Sequence, residues 1–398
     1  MSLPLIQSLH PQGRRIILRV DFNVDIDSGG HILNDFRIRE SLPTIKYLLQ
    51  NNNHLIIIAH LKRPRGESYE ERRKSGYTLA PVANHLSNLL ERFPVEFLTW
   101  RIDQNWPEIV KASEAHSLIL LENIRFYPEE EENNLQFSED LAKLGEIYVN
   151  DAFGVSHRKH SSVVGIVKFI PSYAGLLLQK EINVLSKIIY SPRRPITVII
   201  GGAKISTKIK FIREFLSWTD NVLLGGALAN TLLYVKGVGI GKSIYEKDAD
   251  INEVKTLEIT NPKLHLPIDA IASEDKSGKK EIEIVPIGRV GRNQSILDIG
   301  PDTRELFESI IRASSAVIWN GPMGYYELPV FAQGTEFIAR VIAESEIFSV
   351  VGGGETIDFI SKLGLIKEFS YVSSGGGSML RFLTGEKLPG IEVLNVKG

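Results

Sequence analysis

Two kinds of residue in this chain are spaced for chemistry with phosphate. The first kind is clustered glycine, placed after strand-like runs in the second half. ITVII leads into Gly201 and Gly202, NVLL into Gly225 and Gly226, FSVV into Gly352, Gly353 and Gly354, and FSYVSS into Gly375, Gly376 and Gly377. Glycine tolerates φ > 0 and lets a ligand approach the backbone closely. A glycine loop that opens a helix also offers N–H groups and a positive dipole end to an anion. One such cluster is explained by a tight turn; four in one half-chain point to a phosphate-rich ligand, a nucleotide.

The second kind is basic and polar, and follows strand-like runs in the first half. RIILRV runs into Asp21 and Asn23, HLIIIA into His60, Lys62 and Arg63, SLILLENIRF ends beside Arg125, and EIYVNDAF precedes His157, Arg158, Lys159 and His160. Arginine forks match the geometry of phosphate and carboxylate, so this half is read as gripping a small anion. In GGAKISTK, residues 201–208, the spacing predicts Lys204 and Lys208 one helical turn apart on one face. Such a pair is either solvated or meets a transferring phosphate. GVGIGKS, residues 237–243, imitates a P-loop but has Lys236 where the first glycine belongs, and it follows a helix-like segment. The dinucleotide pattern G-x-G-x-x-G fails as well, meeting Lys242, Ile357 or Leu380 at its third glycine. His157 and His160 lack further metal ligands at matched spacing. The acidic run 129–132 reads as a solvated surface, and WNGPMG, from Trp319, demands a turn whose role is open between structure and site.

The elements that position these residues alternate from end to end. Short, continuously apolar, β-branched runs suit buried parallel strands, and amphipathic stretches between them suit crossover helices. LPIDAIA, from Leu266, and AVIW, from Ala316, continue the series. The expected fold is α/β, with two doubly wound (Rossmann-like) parallel-sheet domains joined by a hinge helix. The expected boundaries are 1–173 with 385–398 for the first domain, 174–195 for the helix and hinge, and 196–384 for the second. SPRRP, from Ser191, marks an exposed joint. In open parallel sheets, ligands bind beyond the carboxyl ends of the strands.

At 398 residues the chain exceeds what one core usually supports. Its 43% hydrophobic and 24% charged content is that of an ordinary globular protein, and its formal charge of −2 argues against general binding to nucleic acid or to a membrane surface. The start, MSLPLIQSLH, has no basic region followed by an apolar core, so no signal peptide is expected, and a cytoplasmic location is. There is no cysteine, so thiolate chemistry is excluded.

Taken in order, these segments resemble the phosphoglycerate kinase family over nearly the whole chain. The resemblance is carried by RVDFNV at Arg19, NDFRIRESLPTIKYLL at Asn34, HLKRP at His60, LENIRFYPEEE at Leu121 and YVNDAFGVSHRKHSS at Tyr148. It continues through GGAKISTK at Gly201, IGKS at Ile240, LDIGP at Leu297, WNGPMGYYE at Trp319, VVGGGET at Val350, VSSGGGSM at Val372 and LPG at Leu388. It implies reversible phosphoryl transfer from 1,3-bisphosphoglycerate to ADP, giving 3-phosphoglycerate and ATP, by a Mg²⁺-dependent monomer of glycolysis and its reversal.

Carried over by motif position, Asp21, Asn23, Arg37, His60, Arg63, Arg125 and Arg158 form the phosphoglycerate site. Gly202, Lys204, Lys208, Gly225, Gly226, Asn320, Glu327, Gly353, Gly354, Glu355 and Thr356 form the nucleotide site. Glu327 is implied to hold the ribose hydroxyls. Arg37, Lys208, Gly375 and Gly376 are implied to meet the phosphoryl in flight, and LPGIEVLNVKG to return to the first domain. Four positions depart from the family pattern. Glu355 stands where the metal-coordinating aspartate is usual, Lys62 for glycine, Thr207 for aspartate and Asp25 for proline. Glu355 and Lys62 support the competing reading of a nucleotide-binding relative with lost or altered activity. A dinucleotide-dependent oxidoreductase shares the α/β pattern but lacks the fingerprint.

Overall fold

The computed structural model describes residues 3–395. Expectations that fall on residues 1–2 and 396–398, including the last three of LPGIEVLNVKG, lie outside the described residues. The chain divides into two compact units. One comprises the described residues up to Leu185 together with those from Gly385 onward; the other is Ser186–Thr384. The division falls within the helix Leu176–Tyr190.

The first unit is built on β1 (Arg15–Arg19), β2 (His54–Ile58), β3 (Glu96–Leu98), β4 (Leu118–Leu121), β5 (Ile147–Asn150) and β6 (Ser172–Ala174). They form one parallel sheet in the order β3-β4-β2-β1-β5-β6. Alternate residues serve opposite faces. Ile16, Leu18, Leu55 and Ile57 enter one core cluster, while Ile17, Ile56 and Ile58 enter another on the other face. Burial on both faces is why these strands read as unbroken apolar runs. In register, Arg19 lies level with Ile58 on one side and Asn150 on the other. The segments leaving β1, β2 and β5 therefore start from one line. The chain end packs on this unit: Gly390 donates its N–H to the Ser156 carbonyl at 2.8 Å and accepts from Asn150 Nδ2 at 3.2 Å.

The second unit carries β7 (Ile196–Ile200), β8 (Asn221–Leu224), β9 (Leu264–His265), β10 (Asp269–Ser273), β11 (Ile282–Pro286), β12 (Ser295–Ile299), β13 (Ala316–Asn320), β14 (Phe348–Gly352) and β15 (Tyr371–Ser373). Six of them form a parallel sheet in the order β15-β14-β13-β7-β8-β9. The winding reverses between β7 and β13, the point where open sheets of this class bind ligands. Both units are thus doubly wound, as the alternating pattern implied.

One expectation about the sheets fails. LPIDAIA becomes β10, which joins no parallel sheet but sits between β11 and β12 in an antiparallel sheet of three. The link from β10 to β11, residues 274–281, is shorter than the dozen or so residues a parallel crossover needs. It is a polar turn in which Asp275 accepts from the N–H groups of Ser277 and Lys279.

Candidate active site

In the first unit, the loops leaving β1, β2, β4 and β5 surround a cavity of about 1300 Å³. Asp21, Asn23, Arg37, His60, Arg63, Arg125 and Arg158 all line it. Arg37 stands near the start of the helix Phe36–Gln50. Asp35 precedes that helix and ties it down, accepting from Arg39 Nε at 2.9 Å and lying 2.8 Å from His85 Nε2. From there Arg37 Nη1 donates to the Asn23 carbonyl at 2.8 Å and lies 3.5 Å from Asp21 Oδ1.

The loop after β2 is clamped by the buried Asn123, whose Nδ2 donates to the Leu61 carbonyl and whose Oδ1 accepts from the Leu61 and Arg125 N–H groups. Arg125 is buried, and burial together with neighbouring Arg19 pushes its pKa down to about 10, so it stays charged at neutral pH. Arg65, Arg72, Lys74 and Lys62 add further cations to the wall, against only Asp21 and Glu131 as carboxylates. Of these, Lys62 was named from HLKRP, whereas Arg65, Arg72 and Lys74 were signalled by the basic stretch after it, which sequence reasoning passed over. The arrangement can hold a polyanion.

Lys62 has a left-handed backbone, φ 57°. Its N–H donates to Asn23 Oδ1 at 2.7 Å, its carbonyl accepts from Arg125 Nη1 at 2.7 Å, and its ammonium pairs with Asp25. Two of the four departures from the family pattern therefore compensate each other. The acidic run is only partly a solvated surface: Glu130 is fully buried and takes the Ser162 hydroxyl and N–H. No group of three or more metal-ligating side chains occurs among the described residues, His157 and His160 included.

In the second unit the glycine clusters converge where the sheet winding reverses. Gly201 and Gly202 donate to the Asn320 and Pro322 carbonyls at 3.0 and 2.9 Å. A side chain at Gly201 would strike the Pro322 carbonyl oxygen, and one at Gly376 would come within 2.5 Å of the Gly353 nitrogen. Gly353 itself has φ 108°. Asn320 and Thr356 are buried braces of these loops: Asn320 Nδ2 donates to the Gly352 carbonyl at 2.8 Å, and Thr356 Oγ1 accepts from the Gly321 N–H at 2.8 Å.

A cavity of about 420 Å³ opens beside them, lined by Gly202, Gly226, Glu327 and Glu355 and by apolar surface from Met323, Ile296, Leu297 and Ile299. Gly225 is not in the lining but packs closely on Met323, which is. Gly375 and Gly376 stand at the start of the helix Gly376–Leu383, and Gly354 at the start of Gly354–Lys362. Sequence reasoning missed the wall supplied by β12 because it missed the antiparallel sheet. Asp298 on β12 is buried, and burial pushes its carboxyl up to about 7 against the Gly334 N–H and Arg304, which stabilise its charged form.

Lys204 and Lys208 do not share a helical face. The helix begins only at Ile209, and the residues between form a turn closed by the Lys208 N–H on the Ile205 carbonyl. Lys204 is exposed, whereas Lys208 folds inward and donates from Nζ to the Gly201 carbonyl at 2.6 Å. Burial pushes the Lys208 pKa down to about 8, with Glu355 opposing. The loop 237–243 follows the helix Gly226–Val235 and is held by the Lys242 N–H on the Gln294 carbonyl, with no glycine loop opening a helix.

Comparison with known proteins identifies the family. The family model described as phosphoglycerate kinase matches residues 6–386. The curated phosphoglycerate kinase of Herpetosiphon aurantiacus is 40% identical over 400 residues, covering 100% of both chains. The solved phosphoglycerate kinases of Coxiella burnetii and Pyrococcus horikoshii superpose with TM-scores of 0.80 and 0.86, at 33% and 31% identity, covering 99% and 98% of both chains. The chain belongs to the phosphoglycerate kinase family, whose kinase activity serves glycolysis.

Proposed function

We propose that the basic cavity of the first unit binds 3-phosphoglycerate and 1,3-bisphosphoglycerate, and that the glycine-lined cavity of the second binds ADP and ATP. What carries this reading is that Asp21, Asn23, Arg37, His60, Arg63, Arg125 and Arg158, assigned from separate sequence motifs, line one cavity. In the second cavity Gly226 and the apolar wall suit a flat base, and Glu327 suits the ribose hydroxyls. Replacing Arg37 by alanine should raise the KM for 3-phosphoglycerate at least tenfold and leave that for ATP within threefold; equal effects on both would overturn the assignment.

The attacking group in either direction is already an anion, a carboxylate or a terminal phosphate. No general base is needed, and catalysis reduces to positioning and charge stabilisation. Arg37 and Lys208 are assigned to the transferred phosphoryl, with the N–H groups around Gly375, Gly376 and Gly353 sharing its charge. Mg²⁺ commonly binds through one or two carboxylates and substrate phosphates. Exposed Glu355 beside the cavity fits as the carboxylate, and the ion would neutralise nucleotide phosphate charge.

The two cavities belong to different units, and residues 174–195 are assigned as the hinge. Small-angle scattering should show compaction only with both substrates bound. The reading extends to a cytoplasmic monomer, and the near-neutral charge supports the absence of general nucleic-acid or membrane-surface partners. Among the described residues no helix is long and apolar enough to cross a membrane.

A further inference from the structure

Arg19 ends β1 with no exposed surface, so its guanidinium must be compensated inside the unit. Its Nη1 donates to the Val20 carbonyl and its Nε donates to Ser162 Oγ at 2.9 Å. Ser162 Oγ in turn donates its one proton to Glu130 Oε1 at 2.6 Å, and the Ser162 N–H donates to Glu130 Oε2 at 2.8 Å. The hydroxyl is thus polarised in one direction, between a buried cation and a buried carboxylate. The remaining arm of Arg19, Nη2, lies 3.4 Å from His60 Nδ1.

A guanidinium has donors only. His60 Nδ1 must therefore accept, and the imidazole proton must sit on Nε2. Asp21 Oδ1 is 3.9 Å from Nδ1, beyond hydrogen-bond reach, so it does not draw the proton back. Burial holds the His60 pKa well below the usual histidine value, and the charges of Arg125, Arg19, Arg37 and His160 press the same way.

We propose that Arg19, anchored through Ser162 to Glu130, fixes the tautomer of His60 so that its neutral Nε2–H serves as a hydrogen-bond donor to the anion held in the cavity. Arg19 is a positioning residue in this scheme, acting through His60. The acidic stretch, which the sequence presents as surface, supplies the counter-charge. The donor role rests on the phosphoglycerate reading of the cavity, whereas the tautomer does not.

The test is a two-dimensional ¹⁵N correlation spectrum of the histidines in the free full-length protein at pH 7, with His60 assigned from His60→Gln. The expected pattern is a single neutral form, protonated on Nε2. An Nδ1–H form or an imidazolium overturns the proposal. Arg19→Lys keeps the charge but not the fork, and should give mixed tautomers and about a tenfold higher KM for 3-phosphoglycerate, with kcat within threefold. Ser162→Ala reads the same link should Arg19→Lys not fold. A variant that folds and keeps the single Nε2–H form overturns the role of Arg19. Adding 3-phosphoglycerate should shift the Nε2 resonance. With the tautomer correct, an Nε2 signal unmoved at saturating ligand would overturn the donor role, whereas equal effects of Arg37→Ala on both KM values would overturn the cavity assignment on which it rests.

Discussion

Lys208 rests its ammonium on the carbonyl of Gly201, 2.6 Å away, at the end of β7 where the sheet winding reverses. The glycine after that carbonyl, Gly202, has φ 99°, and a side chain there would lie 3.3 Å from the same ammonium. The loop thus keeps a cation ready beside the glycine-lined cavity. Lys208→Ala should lower kcat by about 10³-fold while each KM changes less than threefold, the signature of an interaction made in the transition state. An unchanged kcat in steady-state assays removes Lys208 from the mechanism.

Burial lowers the Lys208 pKa to about 8, so its charge is present below that pH and lost above it. The kcat/KM for nucleotide should therefore fall as pH rises through about 8. Glu355 raises this pKa, so Glu355→Gln should move the alkaline limb to lower pH. A limb at the same pH in both proteins counts against the assignment.

Glu355 reaches one methylene further than the usual aspartate, and Mg²⁺ demands near-ideal octahedral geometry. Activity should be retained, with a shifted requirement for metal. Mg²⁺ titrations of the wild type and Glu355→Asp should give different half-saturation concentrations; superimposable curves would contradict the assignment of Glu355 to the metal.

Lys62 occupies a left-handed conformation that costs a side-chain-bearing residue about 1–2 kcal/mol. Its N–H and carbonyl hold Asn23 and Arg125, so the backbone is the part the site needs. Lys62→Gly should change stability by less than about 1 kcal/mol, since relieved strain offsets added unfolded-state freedom. Lys62→Val should destabilise by more than about 1 kcal/mol and raise the KM for 3-phosphoglycerate, because a β-branched residue resists φ > 0. Asp25→Asn should lower that KM at low salt by freeing the ammonium. Chemical denaturation and salt-dependent kinetics read both effects.

Asp298 has its pKa raised to about 7 by burial. Between roughly pH 4 and 7 the folded state binds a proton that the unfolded state has released, so its contribution to stability declines as pH rises through that window. Asp298→Asn should flatten the dependence of Tm on pH there. Parallel Tm profiles would show that the carboxyl titrates normally.

The parallel sheets were legible because burial on both faces leaves an unbroken apolar signal, as in RIILR and ITVII. Their carboxyl ends were legible because charged residues or glycines stop those runs. The antiparallel sheet was not: β11 is largely exposed, and β10 reads like any buried strand. The lysine pair was misplaced because spacing alone does not say where a helix begins. Glu130 was hidden inside a run of like residues, and only the fold distinguishes the one that turns inward. The pairing of Lys62 with Asp25, far apart in sequence, needed the loops of β1 and β2 side by side.

The central claim is phosphoryl transfer between phosphoglycerate and nucleotide, and the most direct measurement is ATP formation from ADP and 1,3-bisphosphoglycerate in a coupled assay, with and without Mg²⁺. The account predicts Mg²⁺-dependent turnover that Arg37→Ala and Lys208→Ala each reduce by orders of magnitude. Nucleotide binding without turnover in the wild type would contradict it.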